Sequence, residues 1–437
     1  MSRLHDAAGV TTAAVADRLA GQPAVETQAV ADPPGSGRQL AVLGAAVLLA
    51  FAPWFSASAV GPLLAAEWHT TGLDLPLLTV AVQLGFAVAA IALALTGAAD
   101  AIAGPRLIAV GAVIAAIGNL GFAAFATGPA SALPWRAITG AGLAAVYPVA
   151  LKMLAGWFVR RRGLAIGVLI GALTVGSALP HLIRAAGATS GLAWQSTVVA
   201  ASVLALAAAA LALAAVRPGP FEVPSSRFSP AAAIHAFREP SVRLANAGYL
   251  GHMWELYAMW TWVPAFLAAS FVAAGTVDPT VSAAAAFVVV ASGGIGCIVA
   301  GALADSHGRT TLTIAAMAGS GGTALVIGFL FGAAPALVTA VGLIWGITVI
   351  ADSAQFSAAV SELSPPGTAG SALSLQLATG FVLTGITILG VGLLDPTDGA
   401  GWRTAWILLA LGPAAGIAAM ARLRRRPDAT KMANGHR

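Results

Sequence analysis

Residues 363–394 read LSPPGTAGSALSLQLATGFVLTGITILGVGLL, without one charged side chain. That exceeds the about 20 apolar residues that carry a helix across a ~30 Å hydrocarbon layer. Residues 310–351 are equally free of charge. Over the 437 residues, 58% are hydrophobic and 9% charged, and the mean hydropathy is +0.87. Soluble domains carry about 25% charged residues. So few charges cannot clothe a water-facing surface of this size, and the surface must face lipid.

Working outward from these runs, the apolar pattern predicts twelve spanning helices. They fall near 39–65, 75–96, 106–126, 132–155, 163–187 and 193–216, and then near 242–270, 280–304, 309–331, 334–360, 367–394 and 402–422. Residues 1–38 carry charges throughout and lack the apolar core of a signal peptide, so a disordered cytoplasmic tail is expected there. Residues 217–241, with prolines at 218, 220, 224, 230 and 240, form a polar linker, and 423–437 a basic tail. The linker divides two six-helix bundles, 39–216 and 242–422.

The pI of about 10.1 raises the question of nucleic acid. The basic residues, however, sit between the apolar runs rather than on one face, so no nucleic-acid partner is expected. With the N-terminus inside, every one of the 22 lysines and arginines except Arg136, Arg184 and Arg403 falls on the inner side, as the positive-inside bias requires. The expectation is an inner-membrane, multi-pass monomer with both termini cytoplasmic. The single cysteine, Cys297, precludes an intramolecular disulfide. A phosphate-binding GxxxxGK[ST] is absent, and with Lys152 and Lys431 the only lysines none is hidden, so ATP-driven transport within the chain is excluded. No cofactor and no metal cluster is indicated.

The halves echo each other. Gly97 and Asp100 after the second span recur as Gly301 and Asp305 after the eighth, and Gly163 recurs as Gly367 at the same offset. The run Gly301-Ala-Leu-Ala-Asp305-Ser-His-Gly308-Arg309 resembles the loop signature of the major facilitator superfamily, with a degenerate first-half copy in Gly97, Asp100, Gly104 and Arg106. Arg136-Ala-Ile-Thr-Gly140 and Trp157-Phe-Val-Arg160-Arg161-Arg162-Gly163 resemble two further elements of that family. The resemblance implies an all-α membrane protein of two pseudo-symmetric six-helix bundles, working by alternating access. It also implies a latch of Asp100, Arg106, Gly301, Asp305, Gly308 and Arg309. Residues 251–257 and 370–384 resemble members grouped with nitrate/nitrite and cyanate porters. The second and eighth spans lack the arginines that nitrate carriers use, which disfavours nitrate itself.

An ionisable side chain costs about 2.5–3.5 kcal/mol at a helix centre on insertion scales, so each one needs a reason. His252 and Glu255 lie three residues apart on the seventh span, with Trp262 further along that face. One reading makes Glu255 a proton acceptor tuned by His252; the other makes them a neutral staple between helices. Asp352 and Gln355 on the tenth span are either substrate or proton ligands, or contacts of a gate. Arg136 either binds an anionic solute or is structural, snorkelling outward or pairing with Glu67 or Asp74. Tyr147 is a candidate substrate contact, with Pro148 as a kink. Trp54, after Pro53, is a candidate aromatic wall or plain packing. His181 and Arg184 read as interfacial.

The expected function is secondary active, proton-coupled transport of a small organic or inorganic anion, with a small-molecule substrate, H+ and the lipid bilayer as partners. The alternatives are a proton-driven exporter of cationic amphiphiles and, remotely, a membrane enzyme or sensor on the same scaffold.

Overall fold

The computed structural model describes residues 31–188, 191–222 and 228–436. Among them there are helices and no strands. Twelve spans are numbered here in chain order. The first, α1, is assembled from three pieces, Ser36–Phe51, Ser56–Ala59 and Gly61–Trp68. The others are α2 (Asp74–Thr96), α3 (Gly104–Phe125), α4 (Pro129–Ala155), α5 (Arg162–Ala188), α6 (Trp194–Ala215), α7 (Pro240–Ala273), α8 (Pro279–Ala304), α9 (Arg309–Leu330), α10 (Pro335–Leu363), α11 (Ala369–Leu394) and α12 (Gly399–Arg424). Eleven are long and apolar enough to cross a membrane as continuous spans, and α1 is the shorter exception.

The break in α1 follows from Pro53, which has no N–H to give the preceding turn. Around it the chain closes with three-residue turns, Trp54 N–H to Phe51 O at 3.0 Å and Ser56 N–H to Pro53 O at 3.3 Å. The kink expected at Pro148 is also present: α4 runs to Ala144 and restarts at Tyr147. An unforeseen break divides α10 between Val349 and Ser353. Asp352 stands at the N-cap of the second piece, with Gln355 N–H bonded to its carbonyl at 2.9 Å, so the break sets the two at the start of that piece.

Apolar side chains point outward along the spans, among them Val88 at 68% and Leu393 at 73% exposure. Inside, glycines set the helix separations. A Cβ on Gly140 would lie 1.8 Å from the Val82 carbonyl, so α4 and α2 meet backbone to backbone. The same close approach joins the halves: a Cβ on Gly167 of α5 would sit 2.4 Å from the Cys297 carbonyl of α8, and one on Gly301 would sit 2.6 Å from the Gly163 carbonyl.

The start of α1, the end of α6 and the linker lie on one face. Gln39 Nε2 donates to Ala215 O and Trp157 Nε1 to Arg217 O. The linker contains a helix, Pro230–Arg238, whose Ser229 Oγ accepts from Ala232 N–H. Just before it, Phe228 N–H donates to Ala94 O of α2 and Ser229 N–H to Ser371 Oγ of α11, so the linker straps the two halves together. Beyond α12 the basic tail packs back on the bundle: Ala429 and Met432 are fully buried, and Asp428 bonds Ser241 and Lys431. Likewise Asp32, within the expected tail, accepts from Val159 and Arg160 N–H at 2.8 and 2.9 Å and pairs with Arg161.

Candidate functional site

The halves meet at mid-depth in a layer of rings. Trp54 of α1 stacks on Phe51 (5.5 Å, 10°) and lies 5.3 Å from Phe86 of α2, 5.7 Å from Tyr257 of α7 and 5.9 Å from Phe381 of α11. Phe86 and Phe381 approach to 4.7 Å, and Phe55 meets Trp260 edge-on at 5.8 Å. Such pairs add about 0.5–1.5 kcal/mol each beyond burial. Two amide side chains flank the layer. Thr384 Oγ1 donates to Gln83 Oε1 at 2.7 Å across the halves, which leaves Gln83 Nε2 buried without a partner. Trp54 Nε1, Trp260 Nε1 and Gln376 Nε2 are likewise buried and unpartnered. Buried donors are normally satisfied, so these four orphans among the rings and amides stand out. Of the three tyrosines of the chain, Tyr257 belongs to the layer, Tyr147 packs edge-on against Phe51 at 6.4 Å and Tyr249 against Phe356 at 6.2 Å.

Above this layer, away from the linker, a cavity of ≈ 340 Å³ opens between the halves. Ala57 and Ser58, next along α1 from the aromatic pair, and Thr261 and Trp262, one turn beyond Tyr257, form its lower wall. The rings themselves do not line the cavity; they follow these wall residues along α1 and α7. Trp262 also donates from Nε1 to Ile388 O.

The ionisable groups singled out in the sequence lie inside the half built from α7–α12. His252 Nδ1 is 2.8 Å from Asp352 Oδ1, both about 1% exposed. Glu255 does not pair with His252, despite their shared face. It accepts from Ser320 Oγ of α9 and Trp345 Nε1 of α10, each at 2.7 Å. None of the three lines the open cavity. Gln355 Oε1 accepts from Arg309 at 2.9 Å, and Arg309 also pairs with Glu362 at 2.9 Å, whose other oxygen accepts from Ala433 N–H. Of the expected latch, Arg309 is thus tied to α10, Gly301 sits at the α5–α8 contact, Gly308 adopts a left-handed φ of 84° between α8 and α9, and Arg106 is exposed. The side chains of Asp100 and Asp305 lie outside the described residues.

Arg136 is fully buried and reaches neither Glu67 nor Asp74. Glu67 accepts from Trp194 and Asp74 from Thr71 N–H. The guanidinium instead donates to Pro53 O (3.2 Å), Trp54 O, Ser56 Oγ (3.0 Å) and Asn119 Oδ1 (2.8 Å), with the Phe122 ring 5.4 Å away. It satisfies the carbonyls that the break in α1 frees. Gln83, Phe86, Phe381, Thr384, Ser320 and Trp345 were not read from the sequence as site residues. One signal was available: Gln83 is the lone amide in an otherwise apolar α2.

Two linked six-helix bundles with a cavity between them and a closed seam beneath define a membrane transporter of the alternating-access type. The chain belongs to the major facilitator superfamily, whose family model matches residues 42–388. Its fold is similar to that of a D-xylose-proton symporter at 15% identity, covering 90% of this chain and 98% of that one, with a TM-score of 0.71. It is also similar to the xylose transporter XylE from E. coli in a partially occluded inward-open conformation, at 14% identity and a TM-score of 0.68, covering 89% of this chain and 98% of that one. No curated protein matches in sequence.

Proposed function

We propose that this transporter moves a small polar organic solute with a proton, admitting it through the cavity and holding it against the cross-half rings. One observation carries the reading: the unpartnered Gln83 Nε2 and Trp54 Nε1 beside the stacked layer where the two halves meet. Indole and amide N–H groups favour a solute with hydrogen-bond acceptors, and the rings favour one with a flat or apolar face. A sugar has that chemistry, and one chain of the same fold is a D-xylose-proton symporter. A small organic acid has it too. A cationic cargo is disfavoured, because the carboxylates of Glu255 and Asp352 already hold partners within one half.

Proton linkage falls to the two carboxylates of that half. Glu255 bridges α7, α9 and α10, so gaining or losing its proton alters how those helices are tied. Asp352 does the same between α10 and His252 of α7. The inner-membrane location with both termini cytoplasmic belongs to this proposal and makes the open cavity face outward. The test uses purified protein in liposomes with an internal pH dye. Outside addition of D-xylose or of short organic acids should drive internal acidification, and Glu255→Gln should abolish it while the protein stays folded. No response to any solute, or an unchanged response in Glu255→Gln, would refute the proposal.

A further inference from the structure

Resting on the reading that solute enters through the open cavity, we propose that His181 and Arg184 make this cavity an anion-recruiting site for small organic carboxylates, separate from the midplane rings. The two side chains stand one turn apart on α5 and both line the cavity. His181 is 2% exposed, and among the described residues neither it nor Arg184 makes a hydrogen bond or an ion pair. Among the described residues that line the cavity the one carboxylate is Asp278, whose Oδ1 accepts from Thr280 N–H and caps α8.

The other polar groups of the wall are spent or neutral. Ser58 Oγ bonds Thr79, and Thr261 Oγ1 donates to Tyr257 O. Of the remaining arginines expected on this face, Arg136 is turned into its own half and Arg403 bonds Gly399 O beside Phe329. Arg184 therefore supplies the cavity's positive charge. An unpaired guanidinium against a mostly apolar wall is costly, and a ligand carboxylate relieves that cost through the two-pronged contact a guanidinium offers. The imidazole adds a further polar contact one turn deeper. Opposite them, Pro264, Ala268 and Val272 of α7 give an apolar wall for the organic body. The volume lies within the roughly 300–1,000 Å³ of small-molecule sites.

The test places a thiol on the facing wall, Ala265→Cys in a Cys297→Ala background. Its labelling rate by an anionic sulfonatoethyl thiosulfonate is compared with that of a cationic trimethylammonioethyl analogue, each normalised to a free thiol. The anionic reagent should be favoured, and Arg184→Gln should lower the anion-to-cation ratio about tenfold, as one charge in a partly dry cavity predicts. Benzoate should slow labelling, and its neutral isostere benzamide should not. An unchanged ratio in Arg184→Gln, or benzoate protecting no better than benzamide, would overturn the proposal. So would protection by dihexanoyl phosphatidylglycerol but not by benzoate, which assigns the charge to lipid headgroups. Labelling needs no proton flux, so failure of the transport assay leaves this result standing.

Discussion

Replacing Arg136 by alanine separates a structural arginine from a solute-binding one. The wild-type guanidinium makes four hydrogen bonds in the interior, two of them to backbone carbonyls at the break in α1. Hydrogen bonds to charged groups contribute about 1.5–3 kcal/mol each, and every acceptor left buried and unpaired adds its own penalty. Allowing for partial relaxation, Arg136→Ala should cost about 5 kcal/mol, comparable to the ~5–15 kcal/mol that keeps a domain folded. Arg136→Lys keeps the charge but not the forked donor geometry, so it should fall between the two. Melting curves and fluorescence-detected size exclusion of the detergent-solubilised proteins give the readout. Expected is a large loss of folded protein for alanine and a smaller one for lysine. If Arg136→Ala melts with the wild type and loses only solute binding, the structural assignment is wrong.

Two further substitutions test other contacts. Gly167→Leu puts side-chain atoms where a Cβ alone already lies 2.4 Å from the Cys297 carbonyl. Overpacking of this kind costs about 1–3 kcal/mol and should part α5 from α8, making the buried Cys297 reactive to maleimide; an inert thiol in that variant would argue against the contact. Burial pushes the Asp32 carboxyl up, but hydrogen bonds from Val159, Arg160 and Arg161 outweigh it and hold it below the ordinary 3.8. A depressed carboxyl stabilises the docked segment above its unfolded pKa, and that contribution is lost as pH falls through the folded value. Asp32→Asn should therefore loosen residues 31–35 at neutral pH by about 1 kcal/mol, as removal of a capping side chain does. Hydrogen exchange at Val159 and Arg160 should rise in the variant, and equal protection at pH 7 would count against the cap.

Much of the fold was legible in the residues because lipid leaves a chain few choices. A helix is the one element here that satisfies its own backbone in hydrocarbon, so the charge-free runs such as 310–351 and 363–394 stand as spans, and Pro53 and Pro148 mark real breaks. The family could be read because Gly301, Gly308 and Arg309 lie within nine residues of one another. Partners could not be read. Spacing along α7 put His252 beside Glu255, but facing helices gave one to Asp352 and the other to Ser320 and Trp345. Arg136 chose carbonyls of a broken α1 over the carboxylates of its own side. Gln83 and Thr384 meet only because α2 and α11 pack across the halves.

The sequence alone determined that the chain spans a membrane twelve times and to which family it belongs, since those features depend on side chains near one another along the chain. The tertiary structure decided which buried polar groups found partners, which stayed without, and that His181 and Arg184 line a cavity. Those outcomes depend on helix rotation and inter-helix contact, which no spacing within a single helix encodes.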